Sequence, residues 1–215
     1  MKNKNTQTEV YISGRPLKQH ENEMLDIVNE RFLDKRFSML DIGCADGLFC
    51  KEVKERMSSA VVTGLDFSEK LISKAKSLNL LDATFISGDA LTFETEQKYD
   101  LLIGSGILSI FENFDYVLQK WLRWLKPDGI MFIFGRFNSA DIDTQISFRN
   151  NFNQSDWESG LTTYSMHTVG RFLQKVGYNY EFKRFHLEID LPKNENPVRT
   201  YTVNTSVGEK LVLNG

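Results

Sequence analysis

The sequence predicts an α/β fold: a doubly wound, mostly parallel sheet with helices on both faces. Three observations predict it. Short β-branched, apolar runs alternate with segments whose apolar residues recur at helical spacing. Two runs, "VVTGL" at 61–65 and "IMFIF" at 130–134, are nearly apolar throughout, as strands covered on both faces are. Glycine and aspartate mark the strand ends, most densely in "LDIGCADGLFC" at 40–50.

Residues 1–16 are polar, with Tyr11 and Ile12 as the residues able to dock. From about 17 to 36, Met24, Ile27, Val28 and Phe32 recur as the apolar stripe of an amphipathic helix. "SMLDIG" reads as a buried strand, and Leu48, Phe49, Val53 and Met57 form one face of the helix after it. "AVVTGLDF" at 60–67 is the second strand. Ser68 is a suitable N-cap for a helix carrying Leu71, Ile72, Ala75 and Leu78, because its hydroxyl can accept from an unpaired helical N–H. "ATFISGD" and "YDLLIGSG" are strands three and four.

Phe114, Val117, Leu118, Trp121, Leu122 and Leu125 form a strong helical stripe, which "KPDG" at 126–129 ends by turn chemistry. "IMFIF" is the fifth strand. Residues 136–164 are polar, Asn-rich and dotted with aromatics, which fits a long excursion over a site or an insertion without regular structure. Val169, Phe172, Leu173 and Val176 give a last helix, and Phe185, Leu187, Ile189 and Leu191 alternate as one strand face. The tail "TYTVNTSVGEKLVLNG" suits a hairpin around Val207 and Gly208.

At 215 residues the chain is long enough for one well-buried domain and short for two. Its regions read as an N-terminal cap-helix region (1–37), a core (38–135), a lid excursion (136–165) and a C-terminal helix with strands (166–215). The formal net charge of −3 argues against a protein that works by neutralising nucleic-acid phosphates. Cys44 and Cys50 both fall in or beside one motif, so no secreted-type disulfide framework follows. The polar start lacks a signal-peptide core, and "LLIGSGILSIF" is too short and broken to span a bilayer. These features predict a soluble cytoplasmic protein with no membrane and no nucleic-acid partner.

In open α/β sheets, ligands sit beyond the C-terminal strand ends near the switch in strand order. Gly43 and Gly47 there allow close backbone approach, and the next helix offers N–H groups. Taken alone, the stretch is also an ordinary β-α turn. Asp66 ends the second strand about twenty residues on, where an acid accepts from ribose hydroxyls. Asp89 ends the third strand, placed to accept from an adenine amino group. A dinucleotide loop does not fit: counting from Gly43, Ala45 and Leu48 occupy the next two glycine positions. No P-loop Lys-Ser/Thr pair follows either.

Across about residues 38–190, the chain resembles the class I S-adenosylmethionine-dependent methyltransferases. "LDIGCADG" resembles their first motif, "GLDFS" the second, "SGDAL" the third, "YDLLIGSGILSIFEN" the fourth and "LKPDGIMFIF" their turn and fifth strand. The resemblance implies a seven-stranded Rossmann-like sheet, S-adenosyl-L-methionine as methyl donor and S-adenosyl-L-homocysteine as product. It places Asp41, Gly43, Cys44 and Gly47 on the methionine and ribose side, and gives Asp66 the ribose. Phe67 would flank the adenine, Asp89 and Ala90 would read its edge, and Ser105 would lie beneath the ligand. Ala45 also lines the loop and departs from the pattern, standing where relatives more often have glycine. Its methyl is tolerated if the residue keeps an ordinary φ.

The acceptor side is less marked. Many relatives have a histidine after the fourth strand, where this chain reads "LSIFEN", with Ile110 at that place and Glu112 nearby. His167, ahead of the last helix, and His20, on the N-terminal helix, are the candidate bases; each also reads as a structural or surface residue. His186 reads as structural. The scattered histidines, with no cysteine among them, predict no metal site. Arg136 and Arg149, with Phe137, Phe148, Phe152 and Trp157, either contact an anionic or sugar-like substrate or pin the excursion to the core. The expectation is methyl transfer, by O-methylation, to a small molecule or glycan. The segment from "TYSMHTVGRFLQKVGY" onward resembles bacterial enzymes of polysaccharide or secondary-metabolite pathways. Alternatives are a carrier-protein-bound acid or quinone precursor as acceptor, or a cofactor-binding module without turnover. The oligomeric state is not readable.

Overall fold

The computed structural model describes residues 11–149, 151–152, 156–184, 200–205 and 208–213. Five parallel strands form the central sheet: β1 (Ser38–Ile42), β2 (Val61–Asp66), β3 (Ala83–Ser87), β4 (Tyr99–Ser105) and β5 (Leu125–Phe134). Their order is β3-β2-β1-β4-β5, so the chain winds outward from β1 on one side and returns to its other side with β4. β1 is paired on both edges, Asp41 lying opposite Gly64 of β2 and Ile103 of β4.

The apolar content of these segments explains their placement. Met39, Leu40, Ile42, Leu101, Leu102 and Ile103 are completely buried, as central strands covered on both faces must be. α1 (Gln19–Phe32) buries Met24, Leu25 and Val28, and α2 (Leu48–Arg56) buries Phe49, Cys50 and Val53. α3 (Glu69–Ser77) starts as its sequence predicts, with Ser68 Oγ accepting from Leu71 N at 3.4 Å. Tyr11 and Ile12 dock through their carbonyls, which accept from Lys74 Nζ at 2.6 and 3.2 Å.

Two expectations are corrected. Among the described residues the parallel sheet has five strands, not seven; the 185–191 segment lies outside the described residues, as does His186. β9 (Thr200–Thr205) and β10 (Gly208–Leu213) pair with each other as an antiparallel hairpin, Gly208 opposite Thr205. The second correction concerns "KPDG". Helix α4 (Phe114–Leu122) stops before it, and Leu125 already belongs to β5. Tyr99 pairs with Leu125 and Leu101 with Ile130, so residues 126–129 form a bulge in β5. Among the described residues β5 is an edge strand, and Pro127, which has no N–H to give a ladder, is tolerated there.

The described chain divides into two compact units. One takes in residues through Leu108 together with Tyr116–Gly135, and the other Ser109–Asp115 with the chain from Arg136. The excursion in the second unit carries strands: β6 (Phe137–Asn138), β7 (Thr144–Phe148) and β8 (Glu158–Ser165), in the order β6-β8-β7. α5 (Met166–Lys175) follows, capped by Ser165 Oγ, which accepts from His167 N at 3.0 Å.

Candidate active site

β1 has β2 on one side and β4 on the other, so the loops leaving β1 and β4 open the crevice at the switch in strand order. The β1 loop is held at both ends by the end of β2. Gly43 N and Cys44 N donate to the Leu65 carbonyl at 2.7 and 3.1 Å, and Ala45 N donates to Asp66 Oδ2 at 3.0 Å. Asp66 Oδ1 accepts from Ser68 N at 2.8 Å. These bonds orient the Asp66 carboxylate at the mouth of the loop.

Gly43 has φ +81°, and a Cβ there would come within 2.9 Å of Ile107 Cδ1 in the loop after β4. Gly47 has φ +77°, and its Cβ would sit 2.9 Å from Ala75 Cβ and 3.0 Å from the Phe85 ring. No side chain caps α2, whose first N–H groups follow directly on this loop. Ala45 does not keep an ordinary φ. Its φ is +48°, in the left-handed region, which costs a non-glycine residue about 1–2 kcal/mol. The departure at this position is therefore met by the backbone adopting the glycine conformation with an alanine in it.

Asp41, at the end of β1, is buried, and burial pushes its carboxyl up to about 7. The Cys50 thiol donates to its Oδ2 at 3.4 Å and opposes part of that shift. Burial likewise raises both cysteine thiols, making them unreactive at neutral pH. Asp46, buried in the same loop, pairs with Lys74 Nζ at 2.8 Å while its Oδ1 has no partner. Sequence reasoning passed over Asp46; the signal was a charged residue set between two backbone reversals.

Phe67 follows Asp66 and remains 48% exposed, an unusual position for a phenylalanine at the end of a buried strand. Asp89 Oδ1 accepts from Leu91 N at 3.0 Å, closing a turn. Ala90 is buried, its carbonyl accepting from Trp121 Nε1 at 3.3 Å. Ser105 ends β4 opposite Phe134.

His20 stacks on Phe134, ring centroids 3.7 Å apart and planes within 3°, so it is half-buried. Burial, more than any neighbouring charge, lowers its pKa and keeps the imidazole neutral at neutral pH. Beside it, Glu21 is fastened by Arg15 at 2.5 and 2.6 Å. His167 is exposed in the first turn of α5, in the second unit, with its backbone N–H bonded to the cap. In that unit Arg149 lies over the Trp157 ring at 5.5 Å, and Phe137 packs edge-on against Phe182. Phe152 is fully exposed.

An α/β sheet with its loops gathered at a switch point defines a class of nucleotide- and nucleoside-binding folds. The family profile of the methyltransferase domain matches residues 33–180, and the chain belongs to it, within the class I S-adenosylmethionine-dependent methyltransferases. (S)-coclaurine N-methyltransferase of Papaver somniferum is 30% identical over 122 residues, covering 54% of this chain and 35% of that protein. Malonyl-(acyl-carrier protein) O-methyltransferase of Priestia megaterium is 25% identical over 120 residues, 55% of this chain and 43% of that protein. The matches thus span less than half the length of these relatives. The solved structure of the plantazolicin methyltransferase BpumL in complex with SAH shares the fold, with a TM-score of 0.53 at 20% identity, covering 73% of this chain and 62% of that one.

Proposed function

We propose that the chain transfers a methyl group from S-adenosylmethionine to a small-molecule acceptor. The observation that carries the reading is the bond from Ala45 N to Asp66 Oδ2, which joins the glycine loop to the acid ending the neighbouring strand. The residues suit this donor. Asp66 ends β2 beside the loop, where a carboxylate accepts from ribose hydroxyls, and exposed Phe67 offers a face for an adenine ring. Gly43, Cys44, Ala45 and Gly47 present backbone on the methionine side, Asp89 and Ala90 border the adenine edge, and Ser105 lies beneath.

The donor supplies an electrophilic sulfonium methyl, so the protein needs mainly to position a nucleophile and exclude water. His20 is the favoured base: its neutral imidazole, held by the stack on Phe134, can take the acceptor's proton. His167 is the second candidate. An oxygen acceptor, small molecule or glycan, follows from the sequence reading; the coclaurine relative's name adds nitrogen as an alternative. A carrier-bound acid, as in the malonyl relative's name, remains a further candidate.

The test is to incubate the protein with S-adenosylmethionine and panels of alcohols, phenols, amines and acids, and quantify S-adenosylhomocysteine by mass spectrometry. Product above the no-acceptor background supports the reading. Tight S-adenosylhomocysteine binding without product from any panel would leave a binding module instead. Turnover lost in His20→Ala but kept in His167→Ala supports the assignment of the base; the reverse moves it to His167.

A further inference from the structure

Lys74, on α3, bonds to three acceptors from two other parts of the chain. Its ammonium donates to the Tyr11 carbonyl at 2.6 Å, the Ile12 carbonyl at 3.2 Å and Asp46 Oδ2 at 2.8 Å. An ammonium has three N–H donors and no acceptor, so these oxygens match it fully. Asp46 belongs to the β1 loop, whereas Tyr11 and Ile12 begin the segment that leads into α1. One side chain thus joins residues 11–18 to the loop that the proposed function assigns to the methyl donor.

The far end of this segment is fastened too. Arg15 holds Glu21 through bonds of 2.5 and 2.6 Å, and Glu21 Oε2 accepts from Lys18 N at 2.7 Å, at the start of α1. The Glu21 bond raises the Arg15 guanidinium, and the Asp46 charge adds to that shift, so Arg15 lies within reach of the loop's acid. Burial raises the Asp41 carboxyl, and the charges of Asp66 and Glu21 add to it, so Glu21 stands near the end of β1. His20, beside it, stacks on Phe134 at the end of β5. Residues 11–21 are therefore tied to the β1 loop and to the end of β5, the two strands that flank β4.

Polar bonds hold this segment more than packing does. Leu17 packs against the hydrophobic core, while Ser13, Gly14, Pro16 and Lys18 are exposed. Gly14 has φ +82° and nothing within 4 Å of where a Cβ would point, so the chain reverses there without support from neighbours. Two buried atoms lack a partner, Asp46 Oδ1 in the loop and Arg15 Nε in the segment. Water would pair both if the segment lifted, so opening removes a penalty that closure carries. A stretch with few buried apolar contacts and exposed polar bonds opens more readily than the sheet it covers.

We propose that residues 11–18 form a strap that closes over the bound methyl donor, and that Lys74 is its latch. Lys74 is a positioning residue: by holding strap and loop together, it slows release of the ligand. The identity of that ligand rests on the proposed function; the latch is a property of the ligand-free chain.

The test combines amide hydrogen exchange of the full chain with stopped-flow release of S-adenosylhomocysteine. In the wild type, saturating S-adenosylhomocysteine should slow exchange at the Gly14 and Lys18 amides, both bonded in the closed strap, by about tenfold. Lys74→Met should speed their exchange in the ligand-free protein by about tenfold, the size expected for losing a bond to a charged group, and leave the β1 and β2 amides unchanged. It should raise the release rate by about tenfold and change the association rate by less than about threefold. Lys74→Arg, which keeps a cation with several donors, should restore slow release. Arg15→Ala loosens the other end without touching Lys74 or Asp46, and should move exchange and release in the same direction. Unchanged exchange in Lys74→Met, or faster exchange with unchanged release, overturns the proposal. So does wild-type exchange at Gly14 and Lys18 that S-adenosylhomocysteine leaves unaltered, a result that needs no variant. A wild type that does not bind S-adenosylhomocysteine fails the proposed function instead, and the ligand-free exchange of Lys74→Met still decides the latch.

Discussion

The β1 loop and the excursion are built by opposite means. Residues 40–66 form a site from local backbone: two reversals at Gly43 and Gly47, a third at Ala45, and one acid, Asp66, that ties them down. Residues 136–165 are held by pairings between distant segments, Thr144 opposite Thr163 and Phe137 opposite Tyr164. The first resists change because a side chain has nowhere to go.

The largest effect expected from this contrast concerns the buried acid of the first region. The Asp41 carboxyl is raised from 3.8 to about 7, so the folded chain holds its proton more tightly than the unfolded chain. Its contribution is fully present below about pH 4 and is lost as pH rises through about 7, on the order of 4 kcal/mol. Urea unfolding of the ligand-free protein at pH 4 and pH 8 should show that loss in the wild type and much less of it in Asp41→Asn. Equal losses in both would mean that Asp41 is not the buried titrating group.

Next in size is a pair of glycine substitutions. Gly47→Ala meets both a left-handed φ and contacts of 2.9–3.0 Å, and should cost about 3 kcal/mol. Gly177→Ala in the second unit meets only the φ of +84°, with nothing within 4 Å, and should cost about 1 kcal/mol. Urea midpoints compare them, and similar costs would erase the distinction between the two regions. The smallest effect is Ala45→Gly. Relief of the left-handed alanine is partly offset by a freer unfolded chain, giving a net stabilisation of about 0.5 kcal/mol. A lower melting temperature in Ala45→Gly would contradict it.

The same contrast decides what was legible in the sequence. The five strands were readable because they are apolar runs, and Ser68 because capping is local chemistry. Ala45 was recognised as unusual, but its φ is imposed by the bonds around it and leaves no mark on the residue. "KPDG" was read correctly as a turn and placed on the wrong element, since a bulge in an edge strand uses the same residues as a helix stop. "TQISF" and "ESGLTTYS" hid as strands because their polar content masks a period of two. The His20–Phe134 stack arises from residues far apart in the chain, beyond any local pattern.

The central claim is that the loop at 43–47 and Asp66 hold an adenosyl methyl donor. Calorimetric titration of S-adenosylhomocysteine into the wild type and Asp66→Ala tests it most directly. The account predicts one saturable site in the wild type, weakened in Asp66→Ala by about 1–3 kcal/mol as ribose hydroxyls lose a charged acceptor. Unchanged affinity in Asp66→Ala, or binding of NAD in place of S-adenosylhomocysteine, would contradict it.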